Sequence, residues 1–481
     1  GDMATSESLA EREGRKSKVV YKAEIVYGDK IMLQTGMTYD DAITVLQNQK
    51  KYEEEKVAIT EIIDAYVWDG AIAAAKAMEL MYGVVFATTT PPAGMFDKEK
   101  PPQMISIESG VGVSTLVPWG RFNIPGVVGW VETRMGKDPG GRSVFVLAAQ
   151  VKRKFEPTIR ALAEKTRQIL RETSIYRGKA IRLRFTDDDG NTEETPYPRF
   201  MDLSQVRPEE LLLPDATRRA VDTNLFTPLQ KVELCRKYGI PLKRGVLLEG
   251  PYGVGKTMSA NIAAKVGTDN GWTFLYIEHA DDLSAGVAFA KRYQPCVVFC
   301  EDIDRAVRGE ERTVSIDELL NVIDGIESKG TEIMVVMSTN HVDSINRAML
   351  RPGRLDAVIE FYPPDKETVE RLLTLYSRGH LERDTDLTAA AEKLAGQIPA
   401  VVRECVERAK LSALKLSDTI EISGAALHDA AISMQGQISL LQGKSDHTES
   451  PAEKIGRGIV DLVTEAQRDI KKDVLYIKAR S

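Results

Sequence analysis

Residues 250–257 read Gly-Pro-Tyr-Gly-Val-Gly-Lys-Thr, with an apolar run at 245–249 before them and a helix-like segment at 258–266 after them. This Gly-x-x-x-x-Gly-Lys-Thr spacing between a strand and a helix is typical of a loop that binds phosphate groups. Glycines allow backbone conformations that a Cβ atom forbids, so successive N–H groups can face one anion. The helix that follows adds the positive end of its dipole at the same point. We therefore predict a nucleotide site rather than a chance glycine-rich turn.

Two side chains of this loop have predicted roles of their own. Lys256 is expected to reach the β- and γ-phosphates, and the Thr257 hydroxyl is expected to ligate Mg²⁺. The residues predicted to bind the nucleotide are Gly250, Pro251, Tyr252, Gly253, Val254, Gly255, Lys256, Thr257 and Met258.

The bulk composition is that of an ordinary soluble globular protein. The chain has 481 residues, of which 43% are hydrophobic and 28% charged, and its net charge is −7. Such a balance does not favour nucleic acid as a partner, although it excludes no local basic patch. The four cysteines form no Cys-x-x-Cys pair, which argues against a zinc site or a disulfide framework. A reducing compartment, and hence a cytoplasmic location, is the expectation.

No segment of the sequence predicts a membrane span. The most apolar long stretch, residues 71–88, carries Lys76 and Glu79 in its middle. We therefore interpret it as a packed helix running into a strand. The polar first fifteen residues do not resemble a signal peptide.

The pattern along the chain predicts five parts. Residues 1–17 are polar and expected to be disordered. Residues 18–200 mix helical and strand patterns, which indicates an α+β region. Residues 201–364 alternate helices with strands and predict an α/β domain with a parallel sheet. Residues 365–442 are helical, and residues 443–481 begin as a linker and end in a short helix.

Short apolar runs predict a sheet of five buried parallel strands, at residues 246–248, 274–277, 296–300, 333–338 and 358–361. In the first half we expect a hairpin at 19–34, helices at 38–52 and 57–81, a hairpin formed by 130–135 and 143–151, and a helix at 155–173. A strand at 179–186 is expected to end in the turn at 187–190. An alternative for its acidic triplet is a calcium loop, although the downstream glutamate of such loops is lacking.

Polar side chains follow two of the predicted strands. Glu301 and Asp302 come directly after the run at 296–300, where one acid could orient the Mg²⁺ shell through water and the next could polarise an attacking water. Asn340 follows the run at 333–338 and could hold that water. Arg351 and Arg354 lie shortly afterwards and could stabilise charge on a transferring phosphoryl group. The alternatives are a helix-cap group for the acids and surface ion pairing for the arginines.

In this order, the motifs between about residues 202 and 416 resemble the ATPase module of AAA+ proteins. The resemblance is to the AAA subfamily with a second region of homology. It identifies residues 250–257 as Walker A, Glu301 and Asp302 as Walker B, and Asn340 as sensor 1. It places Arg351 and Arg354 at arginine-finger positions that act on a neighbouring subunit. The resemblance implies a P-loop sheet with a helical lid, ATP and Mg²⁺ as ligands, and a ring of identical subunits, usually a hexamer.

Two features depart from the family pattern. The usual Walker B order is Asp-Glu, whereas this chain has Glu301 followed by Asp302, an order that resembles the mitochondrial AAA chaperones of the cytochrome bc complex. That branch hydrolyses ATP, so the order is compatible with activity. The family's threading members also carry an aromatic pore-loop triplet, where this chain has Leu-Ser-Ala-Gly at residues 283–286.

The leading hypothesis is a ring-forming ATPase that remodels or disassembles a protein substrate or complex, reached through the N-terminal region. One alternative is a nucleotide-gated scaffold with slow or no hydrolysis, which the short Asp302 motivates. The other is a motor or loader on nucleic acid, with Arg305, Arg308 and Arg312 lining a pore. No membrane partner is expected.

Overall fold

The computed structural model describes residues 36, 38–83, 86–87, 103–303, 316–327, 329–340 and 354–441. The hairpin expected at 19–34, the disorder expected at 1–17 and the tail expected at 443–481 therefore lie outside the described residues. The contacts divide the chain into two compact units, one ending at Ile175 and the other beginning at Tyr176.

The first unit is an α+β fold in which the described strands form a six-stranded antiparallel sheet. Its strand order is β1-β6-β5-β4-β2, with β3 paired to β4. Its elements are α1 (Tyr39–Glu54), β1 (Lys56–Ile63), α2 (Val67–Tyr82), β2 (Phe86–Ala87), β3 (Gln103–Gly110), β4 (Val113–Asn123), β5 (Gly129–Lys137), β6 (Ser143–Lys152) and α3 (Glu156–Thr173).

The helix expected over residues 57–81 is wrong in its first part. Strand β1 occupies Lys56–Ile63, and its side chains alternate between more and less exposed positions along the strand. Every residue of β1 pairs with β6 in antiparallel register. Helix α2 packs tightly on the sheet, since a Cβ atom on Gly70 would lie 2.3 Å from Cγ of Phe145. The long-range pairing with β6 therefore decides the strand.

The second unit is built on a mostly parallel sheet whose described strands have the order β13-β9-β12-β11-β10-β7-β8. All neighbours run parallel except β7 and β8. The strands are β7 (Ala180–Arg182), β8 (Arg199–Phe200), β9 (Arg244–Glu249), β10 (Thr273–Ile277), β11 (Cys296–Cys300), β12 (Ile333–Thr339) and β13 (Ala357–Glu360). Strands β10, β11 and β12 are buried along their whole length, as their apolar sequences require.

The sheet extends beyond the five strands that the sequence predicted. Strand β7 pairs in parallel with β10, and β8 closes the same edge. Residues 180–200 thus share a sheet with the predicted ATPase region, although the boundary was expected after residue 200. The pairing partner of β7 lies more than 90 residues away in sequence, which local patterns do not reveal.

Helices flank this sheet and continue into a helical lid. They are α4 (Asp215–Val221), α5 (Thr227–Gln230), α6 (Val232–Lys237), α7 (Lys256–Asp269), α8 (Leu283–Ala290), α9 (Ile316–Asp324), α10 (Lys366–Ser377), α11 (Thr388–Leu394), α12 (Pro399–Leu416), α13 (Gly424–Ser433) and α14 (Gln435–Leu441). The lid helices α10–α14 enclose a hydrophobic core of their own. Ile398 packs against both this core and the core of the sheet, so it links the two layers.

The lid begins sharply at helix α10. The Asp365 carboxylate accepts a hydrogen bond from the Thr368 backbone N–H at 2.8 Å and caps the helix. Within the described residues, none of the helices has both the length and the apolar character needed to cross a membrane.

Candidate nucleotide site

The loop at residues 250–257 has the backbone conformation that its glycines predict. Gly250, Gly253 and Gly255 adopt φ values of 154°, 81° and 109°. A Cβ atom on Gly250 would lie 2.4 Å from the carbonyl oxygen of Phe361, so no larger residue fits there. Helix α7 begins at Lys256, immediately after the left-handed Gly255. The first N–H groups of the helix therefore face the loop, as an anion site requires.

The remaining loop residues divide by their exposure. Tyr252 is 78% exposed, and Val254 is buried in the core of the sheet. Met258 is partly buried against the same core. Val254 and Met258 thus support the loop from beneath. Their predicted contact with a nucleotide remains a prediction.

Lys256 is nearly buried, with 6% of its surface exposed. Its ammonium Nζ donates hydrogen bonds to the carbonyl oxygens of Gly250 at 2.6 Å and Pro251 at 2.8 Å. It also donates to Oδ1 of Asn340 at 2.9 Å. The side chain therefore bridges the loop and the end of strand β12 across the mouth of the site.

Glu301 lies between two hydroxyl groups at the end of strand β11. Its Oε1 accepts a hydrogen bond from Oγ1 of Thr257 at 2.7 Å, and its Oε2 accepts one from the phenol of Tyr276. Oxygen ligands of this kind are those that Mg²⁺ prefers, and Mg²⁺ commonly uses one or two protein groups together with substrate phosphates. The Thr257 hydroxyl and the Glu301 carboxylate therefore fit the predicted metal position.

Asp302 turns away from the strand that carries it. Its φ is 45°, a left-handed conformation that aspartate tolerates better than most residues. Its backbone N–H donates to Oγ of Ser338 at 3.0 Å, and its Oδ1 accepts from Nδ2 of Asn340 at 3.1 Å. Asn340 thus connects Asp302 to Lys256. The amide orientation follows from these two partners.

Of the two predicted arginine-finger residues, the structure describes only Arg354. Arg351 lies outside the described residues, as do Arg305, Arg308 and Arg312. Arg354 forms an ion pair between its Nε and Oδ2 of Asp324 at 2.6 Å, at the end of helix α9. Arg354 is therefore not brought to the loop of its own subunit by any described contact.

The segment compared with pore loops is not a loop. Residues 283–286 begin helix α8, where Leu283 and Gly286 are buried. A Cβ atom on Gly286 would lie 2.8 Å from Cδ1 of Ile277. The connection from β10 to α8 is residues 278–282, in which Glu278, His279 and Asp281 are exposed. This short connection contains no Phe, Tyr or Trp.

The acidic turn at 187–190 needs no cation to explain it. Asp187 accepts hydrogen bonds from the backbone N–H groups of Asp189 and Asn191 and from Nδ2 of Asn191. These bonds, the Asn191 side chain first, hold the pKa of the Asp187 carboxyl below its usual value. Across the described residues, no cluster of three or more His, Cys, Asp or Glu side chains could hold a metal ion.

Two residues of the site were missed by sequence reasoning. Ser338 is 1% exposed and holds the Asp302 backbone, and Tyr276 is 2% exposed and holds Glu301. Burial, followed by the bond to Glu301, raises the pKa of the Tyr276 phenol, so the hydroxyl stays protonated and donates. The only sequence signal is that each places a hydroxyl in a strand whose other residues are mostly apolar.

Comparison with known proteins agrees with this geometry. Residues 246–363 match the family described as ATPase family associated with various cellular activities (AAA). The chain is 32% identical over 210 residues to the 26S proteasome regulatory subunit 8 homolog of Schizosaccharomyces pombe, covering 39% of this chain and 51% of that protein. It is 32% identical over 212 residues to the Cell division cycle protein 48 homolog of Archaeoglobus fulgidus, covering 41% of this chain and 29% of that protein.

A third relative is the Proteasome-activating nucleotidase of Methanocaldococcus jannaschii. It is 28% identical over 268 residues, which cover 51% of this chain and 57% of that protein. The chain thus spans little more than half the length of these curated relatives at most. The matched residues contain the phosphate loop, both acids of the β11 end and Asn340. The chain therefore carries the ATPase domain of the AAA+ family.

Proposed function

We propose that this protein is a Mg²⁺-dependent ATPase that works as a ring of identical subunits and uses hydrolysis to remodel a protein substrate or complex. The observation that carries the proposal is one connected set of side chains at the sheet edge. Hydrogen bonds of 2.9 and 3.1 Å join Asn340 to Lys256 and to Asp302. A hydrogen bond of 2.7 Å joins Thr257 to Glu301. The two groups are connected because Lys256 and Thr257 are adjacent in helix α7. These are the residue types that phosphoryl transfer to water requires.

Each of these residues has a distinct part in the proposed reaction. Lys256 leaves its carbonyl partners to hold the β- and γ-phosphates, while Thr257 and Glu301 hold Mg²⁺ directly or through water. Bound Mg·ATP supplies the phosphoryl group and its neutralised charge. Asp302 accepts a hydrogen bond from the attacking water and takes up its proton. Asn340 fixes the Asp302 carboxylate and can turn its amide toward the same water.

The ion pair of Arg354 supports the proposed ring. Arg354 is paired with Asp324 rather than with the phosphate loop of its own subunit. A guanidinium in that position serves catalysis if it reaches the site of a neighbouring subunit. Arg351 is proposed for the same interface on the family resemblance alone. ATP would then sit between subunits, and hydrolysis would require assembly.

Substrate handling is proposed to fall to the N-terminal unit rather than to a threading loop. The connection at 278–282 is short and has no Phe, Tyr or Trp side chain that could hold a polypeptide. The N-terminal unit is a separate compact fold. We assign it to binding a protein substrate or adaptor, in a cytoplasmic setting.

A second candidate is a nucleotide-gated assembly scaffold that hydrolyses ATP slowly. Asp302 favours it, because the side chain is one methylene, about 1.5 Å, shorter than the glutamate that the family usually has at this position. A misplacement of about 1 Å can lower a rate roughly 10²-fold.

The deciding experiment measures ATP turnover and particle mass, with and without a non-hydrolysable ATP analogue. The wild type, Asp302→Asn and the surface control Asp269→Asn are compared. We expect wild type and control to turn over ATP and to gain particle mass when the analogue is added. Asp302→Asn should gain the same particle mass but lose roughly 10²-fold or more in ATP turnover. Negligible turnover that Asp302→Asn leaves unchanged would select the scaffold. A wild type that binds no ATP would refute both candidates.

A further inference from the structure

The carboxylate of Glu301 is held from two sides by different elements. Thr257, in the first turn of helix α7, donates to Oε1 at 2.7 Å. Tyr276, on strand β10, donates to Oε2. Each carboxylate oxygen has two lone pairs, so both oxygens keep one acceptor site for the water shell of a metal ion. The Thr257 hydroxyl likewise donates its proton here and keeps its own lone pairs for the metal.

The Tyr276 ring has little freedom to move. It is 2% exposed, and the ring of Phe299 on strand β11 approaches it at 60° with centroids 5.2 Å apart. On strand β7, Arg182 is the register partner of Tyr276 and places its guanidinium 4.2 Å from the ring centroid. Arg182 also pairs with Glu278 at 3.1 Å. The additional strand β7 therefore braces the residue that touches Glu301.

A glutamate at this position needs such support more than an aspartate does. Glu301 has one more rotatable bond than the aspartate that the family usually carries there, and fixing a free rotamer opposes binding. Groups that orient a metal-binding carboxylate restore the lost precision. We propose that Tyr276 is a positioning residue that holds the Glu301 carboxylate in its metal-binding orientation, with Arg182 and strand β7 behind it. This inference rests on the Mg²⁺-dependent nucleotide site proposed above.

The test is Tyr276→Phe, which removes the hydroxyl and keeps the ring, its packing and its contact with Arg182. Binding of a fluorescent ATP analogue is titrated with Mg²⁺ and again in excess EDTA. We expect the apparent Mg²⁺ affinity to fall about tenfold, the lower end for groups that orient metal ligands. Binding in EDTA should stay at the wild-type value. Tyr376→Phe, which removes a partly buried phenol from lid helix α10, is the matched control and should change neither value.

A second arm asks whether Tyr276 acts through Glu301. In a Glu301→Ala background, adding Tyr276→Phe should change the Mg²⁺ dependence by less than about twofold, because the two groups form one unit. The inference is overturned if Tyr276→Phe matches Tyr376→Phe, if both EDTA and Mg²⁺ values fall equally, or if the full effect persists without Glu301. Wild-type protein that binds no nucleotide would instead remove the proposed function, and the inference with it.

Discussion

The role of Lys256 gives the sharpest test of the site, and Lys256→Met is the change that isolates it. Methionine keeps an unbranched side chain of similar length but has no charge and no donor. The lysine is 6% exposed and uses its three ammonium protons on Gly250, Pro251 and Asn340. The substitution therefore removes all three described hydrogen bonds together with the positive charge.

The expected effects on stability and on nucleotide binding differ in size. Hydrogen bonds to a charged group contribute about 1.5–3 kcal/mol each. Withdrawing an ammonium from water costs several kcal/mol, which offsets most of that sum. We expect nucleotide-free Lys256→Met to lose about 1–2 kcal/mol, or a few degrees in melting temperature. Methionine cannot replace the pairing with phosphate, so affinity should fall by roughly 3 kcal/mol, a factor of about one hundred.

The assay combines equilibrium binding of a fluorescent ATP analogue with thermal unfolding of the nucleotide-free protein. Lys265→Met is the matched control, because Lys265 lies on the same helix α7 and forms a surface ion pair with Asp269 at 3.7 Å. Such pairs contribute about 0–1 kcal/mol, so the control should match wild type in both measurements. Unchanged affinity in Lys256→Met would refute the assignment. If the loss in binding free energy were no larger than the loss in free energy of unfolding, the substitution would have disordered the loop rather than removed a phosphate contact.

Two further predictions concern the ion pair of Arg354 with Asp324 and an ion pair in the N-terminal unit. Arg354→Ala should keep nucleotide affinity and lose roughly 10³-fold in steady-state phosphate release. Mixing it with Asp302→Asn should restore part of the turnover, since each variant supplies what the other lacks, and no recovery would contradict action between subunits. Separately, the hydrogen bond from Lys152, followed by one from Lys154, lowers the pKa of Glu54 from 4.5 to about 2. The contribution of Glu54 to the free energy of unfolding is therefore present above about pH 4.5 and lost as pH falls toward 2. Glu54→Gln should make the free energy of unfolding, followed by circular dichroism, depend less on pH in that window. An unchanged pH dependence would contradict the pairing of Glu54 with the lysines.

The sequence predicted the central sheet well because its strands are short, apolar and buried on both faces. Strand β11 has the predicted bounds, and β12 extends one residue further than expected. Parallel strands also bring their carboxyl ends to one edge. The meeting of Glu301, Asp302 and Asn340 beside Lys256 therefore followed from their places after the strands.

Non-local pairing limited the remaining predictions. The sequence predicts one helix over residues 57–81, yet the pairing of the β-branched run Lys56–Ile63 with β6 makes this first part a strand. Strand β7 was expected as a strand, but its sequence does not reveal that it joins β10. The same limit hid the role of Tyr276, whose hydroxyl acquires a partner only when β10 and β11 lie side by side.

The backbone at the end of β11 offers a physical account of the Glu-Asp order. The N–H of Glu301 still bonds to the Ile277 carbonyl on β10 at 3.2 Å, so Glu301 remains in the ladder and its longer side chain spans the distance to Thr257. Asp302 leaves the ladder through its left-handed φ, and its N–H goes to the Ser338 hydroxyl instead. A shorter acid on a turned backbone can thus reach Asn340. We infer that the backbone turn, more than side-chain length, sets where Asp302 meets water, and that Ser338, which holds the turn, matters to turnover accordingly.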